Sequence, residues 1–151
     1  MKNLVRKILV LLAIIPILGF SANKEDVLRI GFQKYGTLIL LKASGNLEKR
    51  LEPLGVKVTW NEFAAGPQLL EGLNVGSIDF GTVGETPPIF AQAANAKIKY
   101  IGYEPPAPKG EAIIVPKNSA INTVADLKGK KVVLNKGSNV HYLLVKALEN
   151  A

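Results

Sequence analysis

Four times along this chain an apolar run of β character stops at a glycine-bearing turn, and a helix pattern starts at a small capping residue or proline. The turns are Gln33-Lys34-Tyr35-Gly36-Thr37 after residues 27–32, Ala64-Ala65-Gly66-Pro67 after 56–60, Gly81-Thr82-Val83-Gly84-Glu85-Thr86-Pro87-Pro88 after 77–80, and Lys136-Gly137-Ser138-Asn139 after 131–134. Alternating strand and helix patterns imply a parallel sheet with helices on its faces. In such a sheet the turns gather at the carboxyl edge, where ligands bind. Each turn presents free N–H groups and the positive end of a helix dipole, which favours an anion. Turn formation alone selects Gly, Ser, Thr and Pro at any one junction; the recurrence is what points to a shared site. The residue types place Thr86, Gly66 and Ser138 as helix caps, with Pro87 and Pro67 in the first helical positions.

The 151 residues suit one domain better than two, and the 48% hydrophobic content predicts a packed body. Residues 1–21 read differently. Lys2, Arg6 and Lys7 precede an apolar run over 8–18, and Gly19-Phe20-Ser21-Ala22 supplies small residues for cleavage after Ser21 or Ala22. This is the pattern of a secretory signal peptide, and its core is too short to span a bilayer. Without those three cations, 16 Lys+Arg face 12 Asp+Glu (19 − 3 = 16), a net charge of +4. The positive charges are scattered without interleaved aromatic residues, so no nucleic-acid footprint is expected. With no cysteine in the sequence, disulfides, thiolate metal sites, cysteine nucleophiles and a lipid-anchored terminus are all excluded.

Leu40, Ala43, Leu47, Leu51 and Leu54 form one helical stripe with a break or restart at Gly45-Asn46, and Leu69, Leu70 and Leu73 give the next helix its buried face. Residues 97–103 and 112–116 read as strands. Between them lies 104–110, whose three prolines exclude regular structure and mark a crossover between lobes. Thr123 and Asp126 have capping-box spacing, with Gly129 and cations closing that short helix. A last helix runs from Ser138 through Leu148, an unfinished architecture for a doubly wound domain.

Catalytic constellations are missing. His141 is the single histidine and has no nucleophile or carboxylate at a recognisable spacing, so a polar contact to a solute or to the chain itself is expected. Asp79 is expected to pin a loop, and Trp60 and Phe63 to belong to the core, with Phe63 near enough to Gly66 to line a pocket. One histidine, no cysteine and no oxygen-rich loop argue against a metal, and no phosphate-binding glycine loop occurs. No cofactor is expected.

The segments 32–36, 62–71, 76–81, 87–93 and 135–142 resemble the aliphatic-sulfonate-binding proteins of bacterial ABC transporters, in register over nearly all the chain after the leader. Taurine- and nitrate-type binding proteins are similar more loosely. The resemblance implies an α/β fold of the periplasmic-binding-protein type II kind: a first lobe over 22–105 and the start of a second over 106–151, both incomplete. Members of the family run to roughly twice this length, so a truncated, amino-terminal part is expected. It further implies a monomeric periplasmic receptor that closes on an alkanesulfonate and delivers it to an inner-membrane permease for sulfur supply. The ligand-binding residues it carries over are Gln33, Gly36, Thr37, Gly84, Thr86, Ser138, Asn139 and His141, with Glu85 standing in the same turn where the family usually has Asp. A longer carboxylate there must point away from an anion or pair with Lys34 or Lys136.

A sulfonate is the permanent anion of a strong acid, so neutral donors from Gln33, Thr37, Thr86, Ser138 and Asn139, with helix termini, are the expected means of holding it. Tyr35, Phe63 and Pro87 are the expected walls for an alkyl tail. Two rivals are a thiamine pyrimidine-precursor synthase, which shares the fold by resemblance but is not exported, and the effector domain of a transcription regulator, which would need a helix-turn-helix ahead of the domain and no leader.

Overall fold

The computed structural model describes residues 25–151; the expected leader and its cleavage site lie outside the described residues. Strand β1 (Asp26–Phe32) leads to helices α1 (Thr37–Ser44) and α2 (Asn46–Leu51). A 3-10 turn at Glu52–Leu54 precedes β2 (Val56–Glu62) and α3 (Gly66–Asn74). The short strand β3 (Phe80–Gly81) and α4 (Thr86–Ala93) follow, and after a long irregular stretch with one 3-10 turn (Ala125–Leu127) comes α5 (Asn139–Glu149).

The three strands form a parallel sheet in the order β2-β1-β3, with Phe32 opposite Glu62 and Gly31 opposite Gly81. Parallel pairing puts the carboxyl ends of all three on one edge. The Gly31–Gly81 pair lets α3 lie close to the sheet. A Cβ on Gly81 would meet Leu69 Cδ2 at 2.6 Å and the Gly31 carbonyl at 3.0 Å, and one on Gly31 would collide with Ile78 Cδ1. Leu69 is fully buried over this pair, beside Leu70, as the helical stripe anticipated. On the other side, Ile30, Phe32 and Leu38 form a cluster against which Leu28, Leu41, Leu47, Val58, Trp60 and Phe80 pack. The Phe32 and Trp60 rings meet edge to face at 6.0 Å.

The stripe expected for the first helical region is corrected. Gly45 adopts a left-handed conformation (φ 63°) and breaks the helix at the anticipated place, and Leu47 packs on the core as expected, but Leu38 and Leu41 face the core while Leu40 and Leu54 are each 71% exposed. The break interrupts the helical phase, so one stripe drawn through it is right at Leu47 and wrong at Leu40 and Leu54.

The strand expected over 77–80 contributes a ladder only at Phe80–Gly81. Before it, the Asp79 N–H donates to the Arg29 carbonyl at 2.7 Å, and the Asp79 carboxylate accepts from the Arg29 backbone N–H at 2.8 Å and from its Nε at 2.9 Å. Asp79 therefore pins the loop to β1, as expected.

The strands expected over 97–103, 112–116 and 131–134 do not form. Their backbone groups find no ladder partner among the described residues, and β propensity without a neighbouring strand yields only extended chain. Tyr103 is 92% and Val133 95% exposed accordingly. The proline-rich stretch 104–110 is irregular, as its sequence requires.

Candidate anion-binding rim

The first three junctions begin where a strand ends and a helix follows. At the first, Gly36 (φ 77°, ψ −169°) occupies a conformation open to glycine, and α1 starts at Thr37. At the second, Ala65 rather than Gly66 is the cap: Ala65 is extended, Gly66 is the first helical residue and Pro67 the second. Gly66 is needed for closeness instead, since a Cβ there would meet Pro87 Cγ at 2.6 Å. At the third, Glu85 takes the cap position, and Thr86 opens α4 ahead of Pro87 and Pro88. Two consecutive prolines lack N–H groups, so the helix tolerates both only within its first turn, and this shifts the cap one residue back. At the fourth, Ser138 is the cap residue as expected, but no strand precedes it and its side chain does not bond the helix.

The four bends meet at one rim. Gln33 is buried and its Nε2 donates to the Thr82 carbonyl (3.3 Å) and the Tyr35 hydroxyl (3.2 Å), joining the first junction to the third. The Asn139 Nδ2 donates to Glu85 Oε2 at 2.7 Å, and its Oδ1 accepts from the Thr86 N–H at 3.3 Å, joining the fourth to the third. Gly137 completes the ring, its Cα lying where a Cβ would be 3.8 Å from Pro67 and 3.9 Å from Phe90. Partial burial is the chief cause of a raised Tyr35 pKa; the Gln33 bond acts against it, as does the nearby Gly84 N–H.

Several donors are turned to local work. Ser138 is buried and its hydroxyl donates to the Asn135 carbonyl at 2.6 Å, so its proton faces away from the rim. His141 accepts the Gly137 N–H at Nδ1 (3.3 Å), a polar contact within its own turn. The Thr37 hydroxyl donates to Glu104 Oε1 at 2.7 Å. Of the alternatives for Glu85, pairing with Lys34 is not the one seen: Glu85 turns to Asn139, and Lys34 pairs with Glu62 at 3.0 Å. Thr86 is buried at the centre of the rim.

The expected apolar walls also change. Phe63 is packed inward, its ring filling the space that a Cβ on Gly31 or Gly72 would need, and Pro87 is buried against Gly66. Tyr35 stays at the surface, 58% exposed. The apolar surface beside the rim is instead a shallow depression of about 200 Å³ lined by Thr86, Phe90, His141, Tyr142 and Val145, between α4 and α5. Val140 to Val145 read simply as a helix face, which hid it from sequence.

The NMT1/THI5-like family pattern matches residues 52–151. This chain belongs to that family. As a member of the NMT1/THI5-like family it is 50% identical, over all its length and 47% of the relative's, to an Escherichia coli K12 protein named as an aliphatic sulfonates-binding protein. The alkanesulfonate-binding protein SsuA of Xanthomonas axonopodis pv. citri, solved bound to MOPS, superposes with a TM-score of 0.77 at 54% identity, over 82% of this chain and 43% of that one. The periplasmic aliphatic sulphonate binding protein SsuA of E. coli does so with a TM-score of 0.68 at 56% identity, over 83% of this chain and 40% of that one. Over the matched part, the α/β fold with its parallel sheet is that of these periplasmic binding proteins. The chain spans less than half the length of these relatives.

Proposed function

We propose that this member of the family is a non-enzymatic, monomeric, extracytoplasmic receptor for aliphatic sulfonates, serving an ABC permease of the inner membrane. Residues 1–21 act as the export leader, 22–105 supply a first lobe and 106–151 the crossover and opening of a second. The carrying observation is the meeting of four glycine-bearing junctions on one edge, bound together by Gln33 and by Asn139. Sulfonate oxygens suit such a rim because they remain charged at every physiological pH and ask only for donors. Free N–H groups at the start of α1 and the side chains of Gln33, Thr37, Thr86 and Asn139 are the donors in reach of that edge, since the Thr86 N–H is held by Asn139 and the two prolines after it have none. Each charge-assisted bond contributes on the order of 1.5–3 kcal/mol before desolvation. The alkyl tail lies against Phe90, Tyr142 and Val145 in the adjoining depression.

The names of the relatives favour sulfonates over other anions, and they name binding proteins. Calorimetric titration with pentanesulfonate, taurine, nitrate and pentylammonium tests the reading. It requires heat with pentanesulfonate and none with pentylammonium; binding of the cation, or of nitrate in preference to both sulfonates, contradicts it.

A further inference from the structure

A carboxylate from a distant part of the chain already occupies a donor of the rim. Thr37, the first residue of α1, gives its hydroxyl to Glu104, 67 positions away. Glu104 opens the proline-rich crossover 104–110, which has no strand or helix of its own to hold it there. The contact is exposed to solvent, so burial does not force it. The start of an eight-residue helix attracts negative charge, and a carboxylate is the nearest equivalent of an anionic headgroup that a protein owns. The negative charges of Glu111, beyond the prolines, and of Glu104 also act on the Tyr35 phenol and raise its pKa further. At the third junction Glu85 accepts a hydrogen bond from Asn139 Nδ2.

We propose that Glu104 is an internal competitor for the anion site, holding the Thr37 donor in the ligand-free chain and leaving it when a sulfonate headgroup enters. The inference rests on the sulfonate reading. It adds a specificity-setting residue outside the four junctions. It also adds a coupling: entry of the solute releases the one side-chain hydrogen bond that ties the crossover to α1 among the described residues. A neutral solute gains nothing against this carboxylate, whereas an anion replaces like with like.

The test is pentanesulfonate titration of the chain and of its Glu104→Ala and Glu104→Gln variants, with amide NMR of the ligand-free proteins. Glu104→Ala is expected to bind roughly two- to five-fold tighter, the range that an exposed charged contact supports, with Glu104→Gln between it and the parent. The ligand-free spectrum of Glu104→Ala is expected to shift the Thr37 amide while leaving the β1–β2 ladder unchanged. Sulfonate binding to the parent with equal or weaker affinity in Glu104→Ala overturns the competitor role, as does an unmoved Thr37 amide. A moved Thr37 amide with no sulfonate binding by either protein overturns the sulfonate reading instead, and competition for that solute with it.

Discussion

Asn139 lies at hydrogen-bond distance from Glu85, with Nδ2 2.7 Å from Oε2, and so fastens the start of α5 to the turn that opens α4 across 54 positions of sequence. The same carboxamide accepts the Thr86 N–H. One side chain therefore answers a free helix donor and a carboxylate at once. Replacing it by alanine leaves both without that partner. Asn139→Ala is expected to destabilise by about 0.5–1.5 kcal/mol in urea unfolding and to increase amide exchange at Thr86. An unchanged midpoint with unchanged exchange would mean that the bridge contributes nothing in solution.

The glycine pair under Leu69 sets the height of α3 above the sheet. Leu69→Ala removes a fully buried side chain and is expected to cost about 2–5 kcal/mol. Gly81→Ala pushes a methyl against Leu69 and the Gly31 carbonyl and is expected to cost about 1–3 kcal/mol by overpacking. Denaturant midpoints with constant slopes check both.

Thr86 sits buried where the third and fourth junctions join. Thr86→Ala is expected to weaken pentanesulfonate binding about ten-fold or more, the loss of a hydrogen bond to a charged group, whereas Ser138→Ala is expected to have less effect because its proton is given to Asn135. Calorimetry on the two variants separates them; a larger loss at Ser138 would reverse the assignment.

Acid should release two contacts in the same direction. The Trp60 indole N–H donates to Glu48 Oε1 at 2.6 Å, and this bond is the main cause that holds the Glu48 carboxyl below its usual pKa. The Arg29 side chain, followed by the Arg29 backbone N–H, lowers Asp79 likewise. A depressed folded-state pKa means stability that is complete above the ordinary carboxylate range, about 3.9–4.3, and lost as pH falls through the lower folded value. Fluorescence of Trp60, the single tryptophan, should therefore change in a step below about pH 4, and Glu48→Gln should remove that step. A change confined to neutral pH would contradict the sign.

Much of the sheet and of the helices packed on it could be read from sequence because local and long-range signals agree there. Alternating apolar runs over β1 and β2 find each other as parallel neighbours, and Leu69 and Leu70 lie on the helical face that their spacing gives. Where a pattern crosses a break, as at Gly45, phase is lost: Leu47 is chosen rightly, Leu40 and Leu54 wrongly. Residues 97–103, 112–116 and 131–134 carry strand composition but no partner strand among the described residues, and composition cannot supply one. The site was legible as a set of junctions, not as a set of donors. Hydroxyl direction at Ser138 and Thr37 depends on Asn135 and Glu104, and the second of these is too distant in sequence to foresee.

Amide NMR of the chain during pentanesulfonate titration tests the shared rim most directly, because every junction reports separately. The account predicts that the largest shifts fall together at Gly36, Thr37, Gly84, Thr86 and Asn139, with one common saturation curve. Shifts confined to a single junction, or centred on residues away from all four, would contradict it.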